Sequence, residues 1–231
     1  MGPERAQKLR EVINKKQPDL TVILDNIHDI HNIAAILRTC DAVGVHEVYL
    51  SFSPGLKYCK WGKGDKTGEK ISGHTLKWLD MHYFDTPQEC LDAVRRKYEH
   101  VYTTHFCEGA SSLYELDLTQ SVALVFGNEH TGIDPYFIAQ ADANFMIPQM
   151  GMAQSLNVSV ACAVSLYEAL RQRDKVGMYD HSRIAPAEKD AMFDDWVRRN
   201  TNAFGDPKKR SLYSEQLQTK ENNAIKIQAC F

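Results

Sequence analysis

The sequence predicts an α/β fold built on a parallel sheet, and three observations carry that reading. Apolar runs of strand length alternate with stretches of helical period along the first 175 residues or so. One of these runs, Ser121 to Phe126 (SVALVF), is continuous and β-branched, as in a strand buried on both faces. The longest helical stretch, which follows the polar segment QSLN, carries its small and apolar residues at three- and four-residue spacing.

Taken in order, Pro3 to Lys16 reads as a first helix with Pro3 near its first position. It carries Arg5, Lys8, Arg10, Lys15 and Lys16 against Glu4 and Glu11, so it is either a solvated face or an arm that contacts phosphate. Leu20 to Leu24 is a buried strand. Asn32 is expected to cap the helix that runs through IAAILRTCDAVG to Gly44, with Ile33, Ile36, Leu37 and Cys40 inward. Arg38 sits among Ala34, Ala35, Asp41 and Ala42 on that helix. It either pairs with Asp41 or swings over a flat alanine surface toward a partner. Val45 to Phe52 is a second strand. Ser53 to Gly73, with Lys57, Lys60, Lys63, Lys66 and Lys70, reads as a loop too polar to pack, and Trp78 is expected to anchor its far end. Pro87 to Tyr98 is an amphipathic helix, His100 to His105 a strand, and DPYFIAQA a helix after the turn Gly127 to Ile133.

Ala143 to Ile147 is another apolar run. Gly151 follows it, in a loop lined with Met, where a side chain would crowd a ligand. Ser155 and Asn157 can both accept from the free N–H groups of the helix that comes next. Val158, Ala161, Cys162, Ser165, Leu166 and Ala169 form its stripe, and their small size lets another backbone approach closely. Pro186 to Arg199 is a last helix with Phe193 and Trp196 inward. Arg198, Arg199, Lys208, Lys209 and Arg210 form a second basic cluster, and Thr219 to Phe231 is expected to be poorly ordered.

Composition narrows the function. A hydrophobic content of 43% supports a real core, and a net charge of −3 argues against a generic polyanion binder. The sequence pI of about 6.3 agrees. Six cysteines without a CxxC pair fit a reduced, cytoplasmic protein. No apolar run reaches the ~20 residues that span a bilayer, so no membrane partner is expected. A GxGxxG fingerprint and a GxxxxGK[ST] loop are both absent, and Ser155 lacks a nucleophile-elbow context. His28 and His31 have no third ligand near them, so no metal is expected. Whatever chemistry exists falls to three polar strand ends, Asn32 to Arg38, Gly127 to Gly132 and Ile147 to Asn157, where ligands of open α/β sheets bind.

Three stretches in order, NIAAILRTCDAVGV from Asn32, LVFGNEHTGI from Leu124 and IPQMGMAQSLNVSVACAV from Ile147, resemble the SpoU/TrmH family of RNA ribose 2′-O-methyltransferases in the SPOUT superfamily. The resemblance runs from about Gln17 to Tyr179. With QPDLTV and the later GMY it is similar to the branch that methylates the D-loop guanosine at tRNA position 18. It implies a parallel-sheet α/β knot, a deep C-terminal trefoil, at residues 18–179, with helical extensions at 1–17 and 180–231. It implies S-adenosyl-L-methionine held by loops containing Thr104, Gly127, Ile147, Gly151 and Leu156. It also implies an obligate homodimer with the long helix in its interface, and tRNA as partner. Catalytic roles fall on Arg38, Asn32, Glu129, Ser155 and Asn157, and RNA contacts on Arg5, Lys8, Arg10 and Arg171. Glu129 is expected to accept from loop N–H groups. The rivals are the same chemistry on rRNA, a catalytically silent RNA-binding dimer, and a small-molecule α/β enzyme. The last leaves the basic flanks unexplained.

Overall fold

The computed structural model describes residues 2–52, 75–107 and 109–202, with side chains described through residue 200. The lysine-rich segment 53–73, Lys208 to Arg210 and the end from Thr219 lie outside the described residues.

Seven strands form one sheet: β1 (Leu20–Asp25), β2 (Glu47–Ser51), β3 (Asp80–Phe84), β4 (His100–Thr104), β5 (Ser111–Ser112), β6 (Val122–Gly127) and β7 (Ala143–Met146). The order is β3-β2-β1-β6-β4-β7-β5, and every pairing is parallel. The sheet is thus the parallel one expected, with β6 in its middle. Valine and isoleucine runs at its centre are what burial on both faces demands.

The helices are α1 (Pro3–Asn14), α2 (Ile30–Ala42), α3 (Pro87–Arg95), α4 (Pro135–Gln140), α5 (Val158–Lys175) and α6 (Pro186–Asn202), with a 3₁₀ turn at Thr75–Trp78. One sheet face meets α2 and α5. Their stripes, Ile33, Ile36, Leu37 and Cys40 against Cys162, Leu166 and Ala169, join Val22, Leu24 and Leu124 in the main core. The other face meets α3 and α4 through Cys90, Leu91, Val94 and Phe137. The small residues of α5 therefore serve a close approach inside the chain: Cys162 and Cys40 touch, both fully buried.

A third cluster joins the two ends of the chain. Leu9 and Ile13 of α1 pack on Ile184, Met192 and Trp196, with Trp78 alongside. The Trp78 and Trp196 rings lie 5.1 Å apart. Lys16 is buried beneath them. Its Nζ donates to Asp41 Oδ1 at 3.1 Å and to the Val45 carbonyl at 3.0 Å. Asp41 therefore pairs with Lys16, and the expected alternative of an Arg38–Asp41 pair is not realised.

Candidate active site

The strand order sets β6, β4 and β7 side by side, so the segments after Gly127, Thr104 and Met146 leave the sheet at one end. Thr103 pairs in register with Val125, and Thr104 with Phe145. The helices α2 and α5 also begin at this end, because each enters from a strand exit or the loop beyond one.

Asp29 is the residue that caps α2, its Oδ1 accepting from His31 N at 2.8 Å. This corrects the expectation for Asn32. The apolar period starts one turn earlier than Ile33, at Ile30, which packs on the main core. Asn32 consequently lies in the first turn with its side chain free for another task. Its Nδ2 donates to Glu129 Oε1 at 2.7 Å, and its Oδ1 accepts from Asn157 Nδ2 at 3.0 Å. Asn157 Nδ2 also lies 3.4 Å from Glu129 Oε1. Asn157 caps α5, as expected, through its Oδ1 and Ser159 N at 2.9 Å. Two amides and one carboxylate thus join stretches 97 and 28 residues apart. Glu129 takes its hydrogen bonds from side-chain amides; the loop N–H groups expected to bind it go instead to Asn128, whose Oδ1 accepts from His130 N and Thr131 N.

The remaining expected residues divide. Arg38 is exposed and, among the described residues, makes no hydrogen bond or ion pair. It stands six residues beyond Asn32, about 9 Å farther along the helix axis. Ser155 is exposed, outside the trio, and caps nothing. The Thr104 hydroxyl donates to the Val125 carbonyl at 2.9 Å, so its proton is already committed. Gly127 is required by the turn itself: a Cβ there would stand 2.5 Å from the Gly132 carbonyl. Gly151 has open space within the chain and no positive φ. Ile147 and Leu156 are half-buried, Ile147 against the main core.

Between Ile147 and the cap lies a stretch of another kind. Among the described residues, 148–156 make no backbone–backbone hydrogen bond. Met150 and Met152 are 96% and 99% exposed within it. Residues 149–155 are exposed, so their main-chain groups are open to water or to a ligand.

The basic residues assigned to RNA are exposed but partnered. Arg5 donates to Asn200 at 2.9 Å, Lys8 lies 3.9 Å from Glu11, and Arg10 stacks on Phe193. Arg171 grips Glu168 with two hydrogen bonds. Arg199 of the second cluster is tied to Asp80 and the Leu79 carbonyl, so it serves the fold. Among the described residues no three His, Cys, Asp or Glu side chains are grouped to hold a metal, and no helix is long and apolar enough to cross a membrane.

Comparison with known proteins shows the family of the chain. Residues 19–167 match the SpoU rRNA Methylase family. The chain belongs to this family. The tRNA (guanosine(18)-2′-O)-methyltransferase of Thermus thermophilus is 40% identical over 195 residues, 84% of this chain and 96% of that enzyme. The crystal structure of the Aquifex aeolicus TrmH/SpoU tRNA modifying enzyme superposes with a TM-score of 0.74 at 38% identity, over 85% of this chain and 96% of that one. AviRb from Streptomyces viridochromogenes, a SpoU methyltransferase solved with AdoMet, matches at a TM-score of 0.59 and 27% identity, over 70% and 59%. Asn32, Glu129 and Asn157 all fall inside the SpoU-matched span, on its three polar strand ends.

Sequence reasoning missed Asp25, Asn26 and Asn128, which hold the Glu129 loop in place. The available signal was Asp-Asn directly after the apolar run LTVIL: a carboxylate at a central strand exit has no reason to be there unless the next loop uses it.

Proposed function

We propose that this chain transfers a methyl group from S-adenosyl-L-methionine to the ribose 2′-hydroxyl of the D-loop guanosine at tRNA position 18. The observation that carries the reading is the Asn32–Glu129–Asn157 trio, formed at the mouth of three strand-end loops in a chain so similar to a tRNA guanosine-18 enzyme along that enzyme's length.

The residues present fit the donor. Main-chain groups of 148–156, with no main-chain partner among the described residues, lie beyond β7 and offer the N–H and carbonyl groups that an adenosine and an amino-acid moiety need. Thr104, Gly127 and Ile147 to Leu156 would hold it. The exposed Met150 and Met152 gain cover when the stretch is occupied. When bound, S-adenosyl-L-methionine supplies an electrophilic methyl carbon on a sulfonium.

The protein's share is alignment and charge. The trio fixes the first turn of α2 against the start of α5, which sets the floor on which a ribose is oriented. Arg38 clamps a phosphate beside the target nucleotide and stabilises the oxyanion as the hydroxyl loses its proton. A guanidinium is a poor proton acceptor once charged and offers donors only, so the clamp is favoured over base action. Ser155 shapes the donor loop. The exposed Arg5, Lys8, Arg10 and Arg171 meet tRNA phosphates, their present partners being surface pairs that cost little to exchange.

The chain threads its C-terminal part into the trefoil knot of its family, and it works as a homodimer through the outward face of α5, where Val160 and Tyr167 stand exposed. The free thiols of Cys40, Cys90, Cys107 and Cys162 suit a reduced cytoplasm.

Mapping 2′-O-methyl groups by mass spectrometry in tRNA from cells lacking the protein tests the reading, with purified tRNA and rRNA fragments methylated in parallel. Loss of the methyl at guanosine 18 is expected. Methylation of rRNA fragments alone would overturn it. A pH profile of the rate with Arg38→Lys separates clamp from base: a uniform loss fits the clamp, and a shifted rise fits base action.

A further inference from the structure

We infer that Asp25 is a positioning residue for methyl transfer: from the exit of β1 it pins the loop that carries Glu129, and through Glu129 it sets the two asparagines. The inference rests on the function proposed above. Asp25 has no solvent exposure, and no lysine or arginine among the described residues pairs with it. A buried carboxylate without a cation is costly unless its oxygens are hydrogen-bonded. Its hydrogen bonds show where it acts. Oδ2 accepts from Asp134 N at 2.6 Å, at the far end of the Glu129 loop. Oδ1 accepts from Asn26 Nδ2 at 3.2 Å.

Asn26 completes the device. Its φ of 53° is left-handed, the lone non-glycine case among the described residues. In that conformation its carbonyl accepts from Asn128 Nδ2 at 2.9 Å, at the near end of the same loop. Asn128 and Gly132 then close the turn with two main-chain hydrogen bonds of 3.0 and 2.8 Å. The loop from 128 to 134 is therefore fastened to β1 at both ends, and Glu129 follows the first fastening directly. Moving Asp134 or Asn128 moves the oxygen on which Asn32 and Asn157 converge.

The groups facing Asp25 are Asp134 from the loop and Cys90 from α3. Burial first, then the Asp134 charge, hold the carboxyl up at about 6, against the pull of the Asp134 N–H. The ionised form accepts from both donors; Asp25→Asn keeps an acceptor oxygen for one of them and turns an NH₂ toward the other.

The test is Asp25→Asn in the full-length protein, using S-adenosyl-L-methionine and tRNA. The turnover rate should fall between about 10-fold and 100-fold, as small misplacements do. The KM for tRNA and the donor affinity should stay within twofold. The acid limb of the rate near pH 6 should vanish, and amide exchange should quicken from His130 to Asp134. A turnover rate within twofold of wild type, or an equal loss of donor affinity with the limb unmoved, overturns the inference. If Asp25→Asn does not fold, Asn128→Ala replaces it, and a full turnover rate there overturns it equally. Should wild type leave tRNA unmodified, the proposed function fails by itself, while the exchange comparison still decides whether Asp25 fastens the loop.

Discussion

The two ends of the sheet handle charge in opposite ways. At the end where strands begin, the half-buried carboxylates Asp19, Glu47 and Asp80 all have cations. Arg173, fully buried, donates to Asp19 at 2.6 Å and to the Leu118 and Gln120 carbonyls, and Arg183 joins the same aspartate. Burial pushes Glu47 up, but His82 and Lys97 outweigh it and bring it down to about 2. Asp80 is pushed up by burial and held below the usual carboxylate range by His46 and Arg199. At the end where strands finish, Asp25 stands without a cation and its pKa goes up, Glu129 binds only neutral amides, and Arg38 has no counter-ion among the described residues. One end is satisfied within the chain. The other is left incomplete where the donor and a phosphate are proposed to complete it.

The largest expected effect lies at the satisfied end. Arg173→Ala leaves the half-buried Asp19 with Arg183 alone and strands the Leu118 and Gln120 carbonyls, each at roughly 1–3 kcal/mol. Thermal unfolding should fall by on the order of 10 °C. A drop under 2 °C would break the contrast. At the incomplete end, Arg38→Ala should leave the melting temperature unchanged and cut single-turnover methyl transfer by about 10²–10³-fold, the scale of a lost oxyanion donor.

The pH dependence should differ in sign between the ends. Asp25 has its folded pKa raised to about 6, so its contribution to stability is complete below about pH 4 and is lost as pH rises through 6. Glu47 has its folded pKa lowered, so its contribution is present at neutral pH and is lost as pH falls through about 2. Asp25→Asn should therefore remove on the order of 3 kcal/mol of pH-dependent destabilisation between pH 4 and 7, measured by urea unfolding across that range.

Smaller effects sharpen the picture. Asn157→Ala should cost ~1 kcal/mol through the lost cap and lower methyl transfer more than donor affinity. Calorimetry finding donor binding abolished would sink its assignment to the trio. Lys8→Ala should leave stability within about 0.5 kcal/mol, since its ion pair is exposed, and reduce the salt slope of tRNA binding by about 1.

Much of this molecule could be read from the chain. Strand and helix periods are local, so the sheet runs, the Asn157 cap, the Gly44 stop and the inward Trp196 all came out as expected. The Asn32 cap failed because a cap and an amide that bridges two other loops use the same residue type, and only Ile30 distinguishes the two. The partners of Glu129 were hidden because they come from two other stretches, and no spacing rule reaches across 97 residues. The Lys16–Asp41 pair was hidden in the same way, since Lys16 just past α1 and Asp41 on α2 each look like a solvated charge.

Because α1 and α6 bury Leu9, Ile13, Met192 and Trp196 in a shared seam, neither helix can be removed alone. A shortened protein ending before Pro186 would unroof its own first helix, and the tryptophan lying over Lys16 would go with it. A drop in tRNA affinity after such a deletion would report collapse of that seam as readily as a missing contact. Point changes on the outer faces are therefore the sound way to chart the nucleic-acid surface.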